Sequence, residues 1–141
     1  MEYDIDRFLI AQKDSYPFAL REIKNGRKTS HWIWYIFPQL RDLGYSYNAR
    51  YYGIENIEEA KEYYSHDVLR ERLIEISEVL LNLDETNMIR IVGDIDSRKI
   101  QSCMTLFLEV DPSCNVFQDI LNKYYNGQKD KETINILKGK G

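Results

Sequence analysis

The clearest pattern of hydrophobic positions lies between residues 68 and 83, where apolar side chains recur at alternating spacings of four and three. That spacing puts them on one face of an α-helix, so the segment is predicted to be an amphipathic helix packed against a core. Two later segments show a similar stripe and are expected to stop before Pro112 and at Gly127. The apolar positions of the three segments are Leu69, Leu73, Ile76, Leu80 and Leu83; Ile100, Cys103, Met104, Phe107 and Leu108; and Val116, Phe117, Ile120, Leu121, Tyr124 and Tyr125.

The N-terminal part of the chain predicts two helices separated by a break. Apolar residues at helical spacing indicate a helix from residue 4 to about residue 14. The run 15–17 is expected to interrupt it, because Pro17 suits the first turn of a second helix. Asn25 and Gly26 form the signal that ends this second helix.

The segment 31–37, HWIWYIF, is apolar on every face, so a buried strand and a buried helix both fit its pattern. Ser30 is a good helix N-cap, which favours the helix. Residues 43–54 are rich in turn formers and tyrosine and indicate a loop around a short helix. Asn56 is then predicted to cap a helix over residues 57–66, whose first turn is acidic.

No segment has the alternating pattern of a half-buried strand, and no internal repeat or linker interrupts the chain. A short helix is expected to end at Gly93, and the tail contains one further helical piece. The sequence therefore predicts an all-α protein, a single multihelical domain over residues 1–141 with about seven helices. Its tail is expected to fray from about residue 138.

Composition narrows the function classes. The 141 residues are 43% hydrophobic and 30% charged, with a net charge of −4, which argues against a protein that binds extended nucleic acid by neutralising phosphates. No apolar run approaches the roughly 20 residues of a membrane span, and the acidic N-terminus does not resemble a signal peptide. Two histidines and two cysteines make a zinc site or a disulfide framework improbable. We expect a cytoplasmic protein without a metal or another cofactor.

The first candidate site is the run Ser30-His31-Trp32-x-Trp34. If Ser30 caps a helix, His31 lies in its first turn, where the helix dipole disfavours the imidazolium form. A neutral imidazole beside an indole can stack on a planar ligand or relay a proton. The alternative is that both tryptophans belong to the core and that His31 bonds to a nearby carbonyl.

The second candidate is GDIDSRKIQSCMT, residues 93–105. One helix start can bring together three groups: a cap at Asp94, Asp96 or Ser97, the cation of Lys99 and the hydroxyl of Ser102. The free N–H groups of a helix start also suit a phosphate. The alternative is an ordinary capped helix with a solvated lysine.

The third candidate is the tyrosine-rich run 45–54. Arg50 can pair with an anion while rings such as Tyr52 stack on a base or a sugar. More often such a cluster simply packs a loop, and the run contains no established motif.

These segments together resemble one family over nearly the whole chain, a bacterial and archaeal domain-of-unknown-function family of small all-helical proteins, some of which are labelled "calpastatin". The most specific matches are the runs SHWxW and IFPQ, residues 30–34 and 36–39, and a later D..K..S.MTLF motif. The later motif comprises Asp96, Lys99, Ser102, Met104, Thr105, Leu106 and Phe107.

Three positions depart from the family's pattern. Gly53 stands where alanine is usual, Asp67 where proline is usual, and Cys103 where a second serine is usual. The last departure leaves Ser102 as the candidate hydroxyl. The resemblance implies a helical fold and a helix at the SHWxW run, but it implies no activity.

The leading functional hypothesis is a pocket for a nucleotide-like or ADP-ribose-type phosphorylated small molecule. A polar set beside bulky aromatics favours a shared pocket, because burying unpaired polar groups in a core is costly. In its enzymatic form, Asp96 stabilises an oxocarbenium-like centre and His31 donates a proton. The rival hypothesis is a non-catalytic helical module that binds another protein. The expected ligand-binding residues are Lys28, Ser30, Trp32, Trp34, Arg50, Tyr52, Lys99 and Ser102.

Overall fold

A computed structural model describes residues 3–140, with side chains through Gly139; the last residue of the tail that is predicted to fray, Gly141, lies outside the described residues. Within this range the protein is all-helical, with nine α-helices and a 3₁₀ turn at residues 41–43. The predicted fold class is therefore confirmed. The count exceeds the predicted number of about seven, and three of these helices have only four or five residues. The helices are α1 (Asp6–Lys24), α2 (Ile33–Ile36), α3 (Tyr47–Tyr51), α4 (Ile57–Ser65), α5 (Asp67–Leu81), α6 (Met88–Val92), α7 (Asp94–Val110), α8 (Asn115–Tyr125) and α9 (Lys131–Lys140).

The predicted break near Pro17 is wrong, because α1 runs without interruption from Asp6 to Lys24. Pro17 and Lys13 are both exposed. Because proline has no N–H to donate to the Lys13 carbonyl, that carbonyl is left to solvent. The buried face continues on both sides of the proline, and Tyr16 anchors it by donating a hydrogen bond to Glu75 at 2.5 Å. A proline on the solvent side of a well-packed helix therefore did not end it.

The SHWxW run is helical only in part, since α2 comprises Ile33–Ile36. Ser30 does not cap it, and His31 precedes it and is exposed, so the expected effect of a helix dipole on His31 does not apply. The predicted cap of α7 is also wrong. Gly93, with φ of 91°, precedes α7, no side chain caps it, and Asp96 makes an ion pair instead. By contrast, the predicted cap Asn56 accepts the Glu59 N–H at 2.9 Å.

The core is one cluster in which α7 packs against α4, α6, α8 and α9, while α5 packs against α1 and α8. Phe107 of α7 lies at its centre, with the ring of Tyr63 at 5.4 Å and the ring of Phe117 at 6.2 Å. None of the described helices combines the length and the apolar character that crossing a bilayer requires.

A single parallel bridge fixes the backbone that follows α2. Ile54 N–H donates to the Gln39 carbonyl at 2.9 Å, and Arg41 N–H donates to the Ile54 carbonyl at 2.8 Å. At Gly53 a Cβ would lie 2.4 Å from the Arg41 Cα, so the two segments approach too closely for a larger residue without rearrangement. This contact places Gln39 beside the α3 segment.

Candidate functional site

The carboxylate of Glu22, on α1, organises the segment that carries the first candidate motif. It accepts hydrogen bonds from the Thr29 N–H at 2.7 Å, the Ser30 N–H at 3.0 Å and the Ser30 hydroxyl at 2.6 Å. It also accepts the indole N–H of Trp32 at 3.0 Å. Ser30 and Trp32 are thus engaged in holding this segment on α1, which explains why the serine is not a helix cap.

This arrangement changes the pKa of Glu22. Burial alone would raise the pKa, but the hydrogen bonds from Ser30, Thr29 and Trp32 outweigh it and lower the pKa from 4.5 to about 2. A carboxyl whose pKa is lower in the folded than in the unfolded state stabilises the fold fully above about pH 4.5. That contribution is lost as the pH falls toward about 2.

We therefore expect Glu22→Gln to reduce the free energy of unfolding by about 1–2 kcal/mol at pH 7, a value that allows for the partial exposure of the carboxylate. The difference between wild type and variant should shrink as the pH falls from about 4.5 to about 2. Urea unfolding at several pH values measures it, with Glu71→Gln, at an exposed position of α5, as the control. A difference that does not change over this range would contradict the assignment.

The first open cleft lies at the start of α7 and has a volume of about 540 Å³; its lining includes Lys28, His31 and Asp96. The ammonium of Lys28 is 2.8 Å from Asp96 Oδ2, and the two side chains are 8% and 17% exposed. The same ammonium donates to the Ser30 carbonyl at 2.6 Å and lies 4.9 Å from the Trp32 ring centroid. Lys28 is therefore neutralised and held in place, whereas His31 is open to solvent.

The second open cleft, of about 220 Å³, adjoins the first, because Ile95 lines both. Lys99 and Ser102 contribute to its wall, together with Asp130 from the segment before α9. The Ser102 hydroxyl is 3.1 Å from the Arg98 carbonyl and 3.0 Å from Asp130 Oδ2. That carboxylate oxygen also accepts from the hydroxyl and the N–H of Thr133, so it caps α9 while facing the cleft.

A small recess of about 10 Å³ lies next to the second cleft, and its lining includes Trp34, Gln39 and Lys99. Gln39 and Lys99 line the second cleft as well. The Lys99 ammonium is 5.5 Å from the Trp34 ring centroid. Gln39 was not among the residues predicted for the site. The one sequence signal that could have indicated it is its place in the IFPQ run, directly after Pro38.

Four predicted site residues lie away from these clefts. Ser30 lines none of them, and its hydroxyl donates to Glu22. Trp32 is 1% exposed and belongs to the core, so its ring has no open face on which a ligand can stack. Tyr52 packs among Phe8, Tyr35 and Tyr51, with the nearest ring centroid at 4.8 Å. Arg50 is exposed on α3, and neither it nor Tyr52 lines the clefts described above.

The clefts offer hydrogen-bonding and charged groups rather than a metal-ligand set. Over residues 3–140 no group of three or more histidine, cysteine, aspartate or glutamate side chains is placed to hold a metal ion. What the site can do is accept an anion at Lys99, accept hydroxyl groups at carboxylates, and exchange a proton at His31.

Comparison with known proteins identifies the family without assigning an activity. The chain is 39% identical to the conserved hypothetical protein Rv1873 from Mycobacterium tuberculosis, with a TM-score of 0.94 to its crystal structure over 96% of this chain and 97% of that chain. None of the curated proteins with which the chain was compared is significantly similar to it. The model of a family described as "Protein of unknown function (DUF1810)" matches residues 2–137. Because that match spans almost the whole chain, the protein belongs to the DUF1810 family.

Proposed function

We propose that this protein binds a nucleotide-like, phosphorylated small molecule in the two clefts that meet at Ile95. The observation that carries the proposal is the convergence of polar side chains from separate segments on two adjoining open clefts. Lys28 and His31 precede α2, Lys99 lies on α7, and Asp130 precedes α9. Clefts of about 220 and 540 Å³ fall in or near the range of small-molecule sites.

The charges in the second cleft suit a ligand that carries both an anion and hydroxyl groups. Arg98 and Lys99 supply cations, while Asp130 and Glu132 supply carboxylates on the same lining. Ile95, which is 68% exposed, gives an apolar surface between the clefts against which a flat group can lie. A phosphorylated nucleoside or sugar combines these three features.

The catalytic form of the proposal assigns Asp96 and His31 to the first cleft. Lys28 engages Asp96 Oδ2, while Oδ1 makes no hydrogen bond to any residue of the range 3–140 and is left to face a developing positive charge. His31 lines the same cleft and is exposed, so it can give a proton to a leaving group. Together they would support hydrolysis of a glycosidic bond in an ADP-ribose-type compound, in which the leaving group takes the proton from His31 and water adds to the sugar carbon.

A thermal-shift screen with ADP-ribose, NAD, ATP and sugar phosphates tests the binding proposal. A ligand at a hundredfold excess over its Kd should add about 2.7 kcal/mol to the free energy of unfolding. His31→Ala and Lys99→Ala should each reduce the shift while leaving the unliganded protein folded. Lys61→Ala, an exposed lysine of α4, is the matched control and should bind as wild type does. A screen in which none of these compounds shifts the Tm would overturn the proposal.

One observation favours a second function, that of a non-catalytic protein-interaction module. Tyr45 and Tyr47 are 93% and 78% exposed, and Tyr47 stacks in parallel on Tyr51 with centroids 5.9 Å apart. Exposed tyrosines of this kind suit a protein interface. The two functions separate experimentally, because Tyr45→Ser with Tyr47→Ser should abolish association with a purified partner but leave every ligand-induced Tm shift unchanged.

A further inference from the structure

We infer that the recess formed by Trp34, Gln39 and Lys99 is an oxyanion subsite that holds the phosphate of a phosphorylated sugar. This inference rests on the proposed function, because it names the group by which the ligand would be held. The subsite does not involve the first cleft, His31 or Asp96. The three side chains come from α2, from the segment after it and from α7.

The indole N–H of Trp34 is the first hydrogen-bond donor of the recess. Its nitrogen is buried, and it finds no acceptor among the residues that the structure describes. Buried donors in folded proteins almost always have a partner, so an orphaned one at a recess indicates that an acceptor binds there. Trp32 provides the contrast within the same motif, since its N–H donates to Glu22.

The carboxamide of Gln39 is the second hydrogen-bonding group of the recess. The residue is only 8% exposed, and its backbone is fixed by the bridge to Ile54. Over residues 3–140 its side chain makes no hydrogen bond, and it lines both the recess and the second cleft. The Gln39 carboxamide, which forms no hydrogen bond within the described residues and stays accessible, is therefore held at the junction of the two spaces.

Lys99 provides the charge. Within the described range no carboxylate lies within 4 Å of its ammonium, which instead lies near the face of Trp34. The charge of Lys28, in the first cleft, is neutralised by its ion pair with Asp96. An ammonium, an indole N–H and an amide N–H₂ around one recess form a donor set for an oxyanion.

The size of the recess indicates how an oxyanion fits. A volume of about 10 Å³ admits roughly one water-sized atom, so a single phosphate oxygen can enter while the rest of the ligand lies in the 220 Å³ cleft. A tetrahedral phosphate has further oxygens for Lys99 and Gln39, whereas a carboxylate has only one more. The carboxylates of Asp130 and Glu132 on the same cleft can accept the hydroxyl groups of a sugar.

Tryptophan fluorescence tests the inference directly, because Trp34 lines the recess while the other tryptophan is buried in the core. Titration with inorganic phosphate and with ribose 5-phosphate should change the emission of the wild-type protein. Lys99→Met and Gln39→Glu should each weaken both ligands by at least about tenfold, since each removes or opposes a charge-assisted hydrogen bond. Lys61→Met is the matched control and should bind as wild type does.

Gln39→Leu separates a binding role from a structural one. Because the carboxamide bonds to no described residue, this variant should keep the urea midpoint of wild type while losing phosphate affinity. Trp34→Phe should likewise lose affinity, and it should abolish the phosphate-dependent change in emission.

The outcomes for the subsite and for the proposed function differ. Unchanged phosphate affinity in Lys99→Met and Gln39→Leu would overturn the subsite, as would an unresponsive wild-type emission, even if ADP-ribose still raises the Tm. Acetate that binds as tightly, with the same dependence on Lys99 and Gln39, would overturn the assignment to phosphate. Phosphate binding that depends on these residues, without any Tm shift from nucleotide-like compounds, would support the subsite and reject the proposed function.

Discussion

Replacing Arg7 with methionine is expected to lower the free energy of unfolding by about 3–5 kcal/mol, because it leaves the buried carboxylate of Glu59 without its cation. The two side chains are 9% and 4% exposed, and their charged atoms are 2.8 Å apart. The guanidinium also donates to the carbonyls of Tyr51 and Gly53, both at 2.9 Å, and to the Asp4 carbonyl. Methionine keeps the apolar stem but satisfies none of these acceptors.

Urea unfolding of wild type and Arg7→Met measures this effect. Arg98→Met is the matched control, because the Arg98–Asp94 pair has a nearly equal separation of 2.9 Å but side chains that are 76% and 60% exposed. Its loss should cost less than about 1 kcal/mol. The double variant Arg7→Met with Glu59→Met should recover part of the lost stability, since no unpaired charge then remains. If Arg7→Met and Arg98→Met lowered the free energy of unfolding equally, burial of the Arg7–Glu59 pair would not explain its contribution to stability.

The Arg7 network also bears on the proposed site. Gly53 lines the phosphate recess, and Arg7 holds its carbonyl against α1. The contact between Gly53 and the Arg41 backbone then keeps the bridge that positions Gln39. A long-range ion pair therefore preorganises the recess although neither of its charges touches it.

Much of the fold could be predicted because its long helices carry their own stop signals and apolar stripes. Helix α5 shows a regular stripe, and Asn56 and Gly26 mark helix ends through local chemistry that the sequence displays. The break at Pro17 was wrong because the exposure of a proline is decided by tertiary packing. The expected cap at Ser30 was wrong because Glu22 of α1 holds Thr29, Ser30 and Trp32 by hydrogen bonds that the apolar pattern does not display.

The candidate site could be predicted less completely than the fold. His31 was identified as a polar residue beside tryptophans, and Asp96, Lys99 and Ser102 as groups near one helix start. All four line the two clefts. Which cation stays unpaired could not be predicted, since it depends on Lys28 meeting Asp96 from 68 positions away. Gln39 was missed for a related reason, because only the structure shows that its amide lines both the recess and the second cleft without a hydrogen-bond partner among the described residues.

Replacing Phe107 with alanine is expected to cost about 3–5 kcal/mol, the usual range for removing a fully buried ring from a close-packed core. Phe107 is 0% exposed and packs against the rings of Tyr63, Tyr64 and Phe117. These rings belong to α4 and α8, so the cavity would loosen the contacts of α7 with both helices. Urea unfolding measures the loss.

The matched control is Phe18→Ala on α1, where the ring is 54% exposed and the cost should stay below about 1 kcal/mol. Comparable costs for the two phenylalanines would contradict the central place of Phe107. Phe107 lines neither cleft, whereas Ile95, Lys99 and Ser102 occupy the cleft-facing side of the same helix. The Phe107→Ala protein should therefore bind phosphate with wild-type affinity while it remains folded. Because α7 presents its core and its ligand-facing residues on different sides, stability and binding should be separable by single substitutions in one helix.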